Sequence, residues 1–175
     1  MKAVLFILGL SVSFVAAQAQ EIPKHWVYKL PPFGDSLRWS KERLTTLSTS
    51  RTTAIKEKKN ILVFPATMKE TKNEDASYFG GAEKREVYKV STPAVVSRNI
   101  SETEKNLDRV FTQASRNNWV LFFDGADSLF SNSTQPESTA NYIQKLAQSK
   151  NVLTIFWCED DCLKWLGRSR YVLVQ

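Results

Sequence analysis

Histidine and cysteine are scarce in this sequence. It contains one histidine, His25, and two cysteines, Cys158 and Cys162, in 175 residues. A Ser-His or Cys-His pair needs an imidazole beside the nucleophile, and a tetrahedral zinc site needs four nitrogen or sulfur ligands, so the sequence argues against both. On a helix the two cysteines would lie about 6 Å apart, which leaves a local disulfide and two free thiols both open.

Long hydrophobic runs are also missing, apart from one at the N-terminus. Residues 4–15 are mostly apolar, Lys2 precedes them, and Ala17-Gln18-Ala19 follows as a small-x-small cleavage site. This order predicts a secretory signal peptide over residues 1–19. The run is short for a membrane span, and no later run reaches that length. We therefore expect a protein that is exported to the periplasm or secreted, with no membrane span in its mature part.

The charged residues do not form a block of one sign. The net charge is +6, but basic residues are interleaved with acids, as in residues 56–59 and 83–86. Proteins that bind nucleic acid concentrate their basic residues in a patch or stripe. The distribution therefore argues against a nucleic-acid partner and is typical of a soluble surface.

Strand and helix patterns alternate from Ile61 onwards. Five apolar or alternating segments predict strands: 61–64, 86–90, 119–123, 152–157 and 170–174. Helical periodicity predicts helices over 101–116, with a capping box of Ser101 and Glu104, and over 136–150. The alternation predicts an α/β fold, a three-layer αβα sandwich with a mostly parallel sheet.

The chain before Ile61 is less regular. Residues 20–34 contain three prolines among aromatic residues and predict an extended arm. Asp35 or Ser36 is the predicted cap of a helix that ends near Lys58, and the Thr/Ser-rich stretch 45–53 is its weak point. The predicted division is a signal peptide at 1–19, an arm and helix at 20–60 and an α/β core at 61–175.

The most specific motif covers residues 119–130, with the sequence WVLFFDGADSLF. It resembles the Walker B segment of AAA ATPases, in which an apolar strand ends in Asp-Glu-Ala-Asp. The resemblance extends over roughly 61–175 and includes a sensor-1 strand at 152–157 and an arginine-finger region at 166–173. It implies a P-loop NTPase-like fold, and we expect an AAA core without the helical lid.

The resemblance also implies which residues would bind a nucleotide. Lys69 and Thr71 stand near the places of the family's phosphate-binding Lys and Thr. Asp124 stands at the place of the Asp that holds magnesium, and Arg168 near that of the arginine finger. If these residues act as they do in the family, the cofactors are ATP and Mg²⁺, with Asp124 as the metal ligand.

Other residues of the family's site are replaced. No glycine lies in residues 64–71, whereas a P-loop needs glycines so that its amides can wrap the phosphates. Gly125 replaces the Walker B glutamate that polarises the attacking water. Cys158 stands near the polar sensor-1 residue, and Asn99 and Ser101 replace the pore-loop aromatic and glycine.

The sequence therefore predicts an exported, degenerate AAA domain that is non-catalytic and needs no cofactor. We expect it to act as a protein-interaction or structural module, by binding a protein partner or by self-association. The alternative is a residual ATP-binding protein or slow ATPase. A third hypothesis is a metal enzyme that uses the acidic residues Asp124, Asp127, Glu159, Asp160 and Asp161. Residues 159–161 are better explained as a solvated loop.

Overall fold

The structure, a computed structural model, describes residues 21–34, 39–65, 71–131, 135–158 and 160–174, with the backbone alone for 160–162. The predicted signal peptide at 1–19 and the predicted phosphate-binding residue Lys69 lie outside these ranges. None of the helices in the described ranges is long and apolar enough to cross a membrane.

A six-stranded sheet forms the middle layer. Its strands are β1 Val27–Lys29, β2 Ile61–Pro65, β3 Val87–Val90, β4 Val120–Asp124, β5 Thr154–Cys158 and β6 Val172–Leu173. Their order across the sheet is β1-β3-β4-β5-β2-β6. Every neighbouring pair is parallel except β1 with β3. The prediction of a mostly parallel sheet is confirmed, and all five predicted strands are present.

Helices cover both faces of this sheet. They are α1 Lys41–Lys56, α2 Lys72–Glu83, α3 Thr92–Val95, α4 Ile100–Arg116, α5 Asp127–Ser131, α6 Pro136–Ser149 and α7 Asp160–Leu166, with 3₁₀ turns at Lys24–Trp26 and Arg168–Arg170. Apolar side chains of α1 and α2 pack on one face, and those of α4, α5 and α6 pack on the other. The three-layer prediction is therefore confirmed.

The strand side chains alternate between two separate hydrophobic clusters. In β2, Ile61 and Val63 belong to one cluster, whereas Leu62 and Phe64 belong to the other. All four are buried because successive side chains of a strand point to opposite faces and helices cover both. This explains why the central strands are continuous apolar runs in the sequence.

Helix α1 begins later than the sequence predicted. Its N-cap is Ser40, whose Oγ accepts a hydrogen bond of 3.1 Å from the Arg43 backbone N–H. The predicted caps, Asp35 and Ser36, lie outside the described residues. The Thr/Ser-rich stretch does not break the helix, which is continuous through it. Hydroxyls such as that of Thr45 donate to the carbonyl one turn earlier, here that of Lys41.

Helix α4 has a different cap from the predicted one. The predicted capping box of Ser101 and Glu104 is wrong: the N-cap is Asn99, whose Oδ1 accepts a 3.0 Å hydrogen bond from the Ser101 backbone N–H. Asn is as good an N-cap as Ser, and a helix that begins at Ile100 places Ser101 inside the first turn.

The N-terminal arm completes the sheet within the same chain. Strand β1 pairs with β3, and Trp26, just before it, is buried. Phe33, further along the arm, lies with its ring centre 5.4 Å from that of Tyr78 in α2. The arm is therefore held to the core on both sides of Pro31 and Pro32.

Candidate functional site

The candidate site lies at the carboxyl edge of the sheet, where parallel strands end side by side. Strand β4 ends at Asp124, and its neighbour β5 ends at Cys158. Strand β2, next to β5, ends at Pro65 and leads towards α2. In open α/β sheets this edge is where ligands bind.

Two lysines hold the carboxylate of Asp124. Lys72 Nζ lies 2.7 Å from Oδ1, and Lys89 Nζ lies 2.5 Å from Oδ2. The side chain of Asp124 is only 13% exposed, whereas those of the two lysines are 26% and 32% exposed. Each carboxylate oxygen therefore has its own ammonium partner in a partly desolvated position.

Strand register explains why Lys89 reaches Asp124. Lys89 in β3 lies opposite Phe122 in β4. Asp124 is two residues beyond Phe122 and so lies on the same face of the sheet. Diagonal neighbours on adjacent strands are within reach of a long side chain, and the ammonium of Lys89 spans that gap.

Lys72 approaches from the helix that covers this face. It is the first residue of α2, and its ammonium lies 4.3 Å from the centre of the Trp157 ring. Trp157 is the partner of Asp124 in the β4–β5 register. The Lys72 ammonium is thus attracted both by the Asp124 carboxylate and by the indole face.

The two lysines keep Asp124 ionised. Burial raises the pKa of Asp124, but hydrogen bonds from Lys72 and Lys89, together with their charges, outweigh that effect and bring its pKa below the ordinary value. Two ammonium groups and one carboxylate leave this trio with an excess of positive charge.

The trio does not fit the magnesium ion that the resemblance implies. Mg²⁺ needs oxygen ligands in an octahedral arrangement, and both oxygens of Asp124 are already paired with ammonium groups. Among the described residues, no three His, Cys, Asp or Glu side chains lie together as they would in a metal site. Glu159 and the side chains of Asp160 and Asp161 lie outside that part of the chain.

Gly125 forms a left-handed turn directly after β4. Its φ is +69°, and a Cβ built there would have no heavy atom within 4 Å other than those of Gly125 and its two chain neighbours. The N–H groups of Gly125 and Ala126 both donate to the Trp157 carbonyl at 3.1 Å. At the place that the resemblance assigns to a water-polarising glutamate there is thus a backbone turn without a side chain.

Thr71 contacts a different carboxylate from the one at the sheet edge. Its Oγ1 donates to Asp75 Oδ2 at 3.0 Å. Asp75 is fully buried and is also held by the Arg43 guanidinium. Burial raises the pKa of Asp75 more than Arg43 and Thr71 lower it. The structure therefore places the predicted residue Thr71 with Asp75.

Sequence reasoning missed Lys72 and Lys89. The eight residues from Ala66 to Asn73 are as long as the P-loop pattern G-x-x-x-x-G-K-[ST], and on that count Lys72 falls on the lysine. Because the glycines of the pattern are missing, this alignment was not evident from the sequence. Lys89 had no local signal, because its contact is made across two strands.

The other predicted residues lie elsewhere. Arg168 is exposed in a 3₁₀ turn, and the charged side chains that contact Asp124 within the described ranges are Lys72 and Lys89. Cys158 is buried and disulfide-bonded. The only other cysteine in the sequence is Cys162. Its side chain is not among those that the structure describes, so the pairing of Cys158 with Cys162 stays a prediction.

Comparison with known families agrees with this architecture. Residues 49–158 match the family described as "ATPase family associated with various cellular activities (AAA)". A comparison with curated proteins gave no match. The matched range covers more than half of the 175 residues and spans the sheet from β2 to β5, including Asp124. The chain therefore belongs to the AAA family of ATPases.

Proposed function

We propose that this AAA domain is exported, does not hydrolyse ATP, and acts by binding another protein or a second copy of itself. One observation carries the absence of ATP hydrolysis: the position that the family resemblance assigns to the water-polarising glutamate is Gly125, in a left-handed turn. Loss of one catalytic base typically lowers a rate by about 10² to 10⁴-fold.

The backbone makes this loss more than a missing side chain. Residues other than glycine avoid positive φ, because their Cβ approaches the following carbonyl oxygen. The turn at Gly125 is also fixed by two hydrogen bonds to the Trp157 carbonyl. A glutamate there would need either a different turn or strain of about 1–2 kcal/mol.

Surface features support the binding role. Strand β1 forms one end of the sheet, and Tyr28 in its middle is 54% exposed. A strand at the end of a sheet presents backbone N–H and C=O groups with which another chain can pair.

Export is supported by two independent features. Residues 1–19 have the order of a signal peptide. Cys158 is disulfide-bonded, and disulfides persist mainly in oxidising compartments outside the cytoplasm. Expression with a cell fractionation, followed by N-terminal sequencing, tests this part, and we expect a mature N-terminus near Gln20. Full-length protein in the cytosolic fraction is the contrary result.

The catalytic part is tested by ATP turnover. Purified protein is assayed for phosphate release with ATP and Mg²⁺, beside Asp124→Ala as the matched control. We expect equal, background release from both proteins. Turnover by the wild type that disappears in Asp124→Ala would show a working ATPase and end the proposal.

A second candidate function is residual nucleotide binding, which the position of Lys72 favours. It is the first residue of α2, contacts Asp124 and stands at the P-loop lysine by residue count. Calorimetry with ATP and ADP, each with and without Mg²⁺, tests it. Heat of binding that is lost in Lys72→Met but kept in Lys29→Met supports this candidate, and heats equal to the blank dismiss it.

A further inference from the structure

Lys89 is a charged residue at the site that has no part in the function proposed above. Its ammonium lies 2.5 Å from Asp124 Oδ2, on the side of the carboxylate away from the Lys72 contact at Oδ1. We propose that this ammonium takes the place of a divalent cation beside Asp124, so that the site excludes Mg²⁺. The proposal concerns the ion at the site and goes beyond the loss of hydrolysis.

The position of Lys89 is set by the sheet. Its backbone lies in the β3–β4 ladder, opposite Phe122, and the neighbouring strand residue Val90 is buried. Asp124 is on the same face, one diagonal step away. The ammonium therefore starts from a fixed backbone and reaches Asp124 within the length of one lysine side chain.

The second lysine closes the other side of the carboxylate. Lys72 is held both by Asp124 Oδ1 and by the ring of Trp157. A cation that approached Asp124 would have to displace one of the two ammonium groups or bind beside both. Asp124 is 13% exposed, which leaves little room for a hydrated ion.

Charge repulsion acts against a divalent ion more strongly than against other ligands. Mg²⁺ carries two positive charges, keeps several of its waters and needs an octahedral set of oxygens. An ammonium needs only an acceptor oxygen. Two like charges about 4 Å apart repel enough, in a partly desolvated site, to lower an affinity by more than about tenfold.

The competing explanation is that Lys89 is a mobile surface partner that yields to a metal. Its side chain is 32% exposed, so there is solvent for it to move into. The two explanations differ in one measurable respect: under ours, removing the ammonium of Lys89 creates a response of Asp124 to Mg²⁺ that the wild type lacks.

The test follows the carboxyl ¹³C resonance of Asp124 by NMR while Mg²⁺ is added to the purified protein. Asp124→Asn assigns the resonance. We compare the wild type with Lys89→Met and Lys89→Gln, and with Lys29→Met as a matched control. Lys29 is on the neighbouring strand β1 and pairs with Glu86, so its loss removes one charge without touching Asp124. Met and Gln differ in polarity, so we expect at least one of the two Lys89 variants to fold. One folded variant is enough for the comparison.

We expect no saturable shift of Asp124 with millimolar Mg²⁺ in the wild type or in Lys29→Met. In the folded Lys89 variants we expect a saturable shift, with an apparent affinity at least about tenfold above the limit for the wild type. A saturable shift in the wild type, or no gain in the Lys89 variants, overturns the proposal. Neither result depends on ATP turnover, so this proposal and the proposed function fail separately.

Discussion

The ammonium of Lys72 lies 4.3 Å from the centre of the Trp157 ring, at the edge of the sheet where β5 ends. Trp157 is also the register partner of Asp124, the residue to which Lys72 is ion-paired. The first residue of α2 is thus attached to two neighbouring strands at once. The contact therefore joins the start of α2 to β4 and β5, the two central strands, at the carboxyl edge of the sheet.

Asp124 should stabilise the fold in a pH-dependent way. We predict that Asp124→Asn lowers the free energy of unfolding at neutral pH by about 1–3 kcal/mol, because two lysines lose their charged partner. The pKa of Asp124 lies below the ordinary value, so its contribution is present above the unfolded pKa near 3.9 and is lost as the pH falls through the folded pKa.

Urea unfolding of both proteins, at neutral pH and at several values below about pH 4, checks this prediction. The gap between the wild type and Asp124→Asn should narrow as the pH falls. A gap that is the same at every pH would mean that the ion pairs contribute nothing through the charge of Asp124.

Restoring the family's glutamate should not restore hydrolysis. We predict that Gly125→Glu releases no more phosphate from ATP than the wild type and lowers the free energy of unfolding by about 1–2 kcal/mol, because φ is +69°. Gly125→Asn is the matched control, since Asn tolerates this conformation better and should cost less. ATP turnover in Gly125→Glu, measured by phosphate release, would show that the side chain alone was missing.

Much of the fold was predictable because its signal is local. The strands at 61–65, 120–124 and 154–158 are apolar runs, as expected where helices cover both faces of a sheet. Asp124 was predictable because it follows such a run in a recognisable motif. Strand β1 was not, because three residues at the end of a sheet give too short a pattern.

Helix α2 and its lysine were missed for a different reason. The buried face of α2 contains Asp75, Ser77 and Gly80 beside Ala76 and Phe79, so it shows no apolar stripe. Lys72 and Lys89 are 17 residues apart in sequence, and each is at least 35 residues from Asp124. Contacts of that separation are set by strand order and register, which the sequence pattern does not specify.

Two adjacent glycines in α2 should respond in opposite ways to alanine. A Cβ at Gly80 would lie 2.8 Å from the Arg85 carbonyl oxygen and closer still to Val87 Cγ2, whereas at Gly81 the nearest atom is Phe33 Cβ at 3.5 Å. We predict that Gly80→Ala lowers the free energy of unfolding by about 1–3 kcal/mol through overpacking. Gly81→Ala should raise it by up to about 1 kcal/mol, because Ala is the better helix former.

Thermal and urea unfolding of the two variants measure this difference. Because the substitutions are identical and one residue apart, the comparison isolates the close approach of Gly80 to Arg85 and Val87. If both variants change the free energy of unfolding equally, α2 must move away from β3 in Gly80→Ala. The contact of Lys72 with Asp124 should then weaken as well.

The buried pair of Arg43 and Asp75 joins α1 to α2 and should be far more sensitive than a similar pair nearby. Asp75 is fully buried, so Arg43→Met leaves its carboxylate without a charged partner, and breaking a buried ion pair in this way typically costs about 3–5 kcal/mol. The control is Arg51→Met, which breaks a 2.7 Å contact with Glu83 between the same two helices. That pair is about a third exposed, and we expect a cost below about 1 kcal/mol.

The pH dependence has the opposite sign from that of Asp124. The pKa of Asp75 is raised in the folded protein, so its contribution is most favourable below the unfolded pKa and is lost as the pH rises through the folded pKa. The penalty of Arg43→Met should therefore shrink in acid, as Asp75 takes up a proton. In Arg43→Met/Asp75→Asn, most of the lost stability at neutral pH should return, because no buried charge remains. If urea unfolding shows that Arg43→Met costs no more than Arg51→Met, the carboxylate of Asp75 is reached by water and its pair with Arg43 contributes no more than the surface pair does.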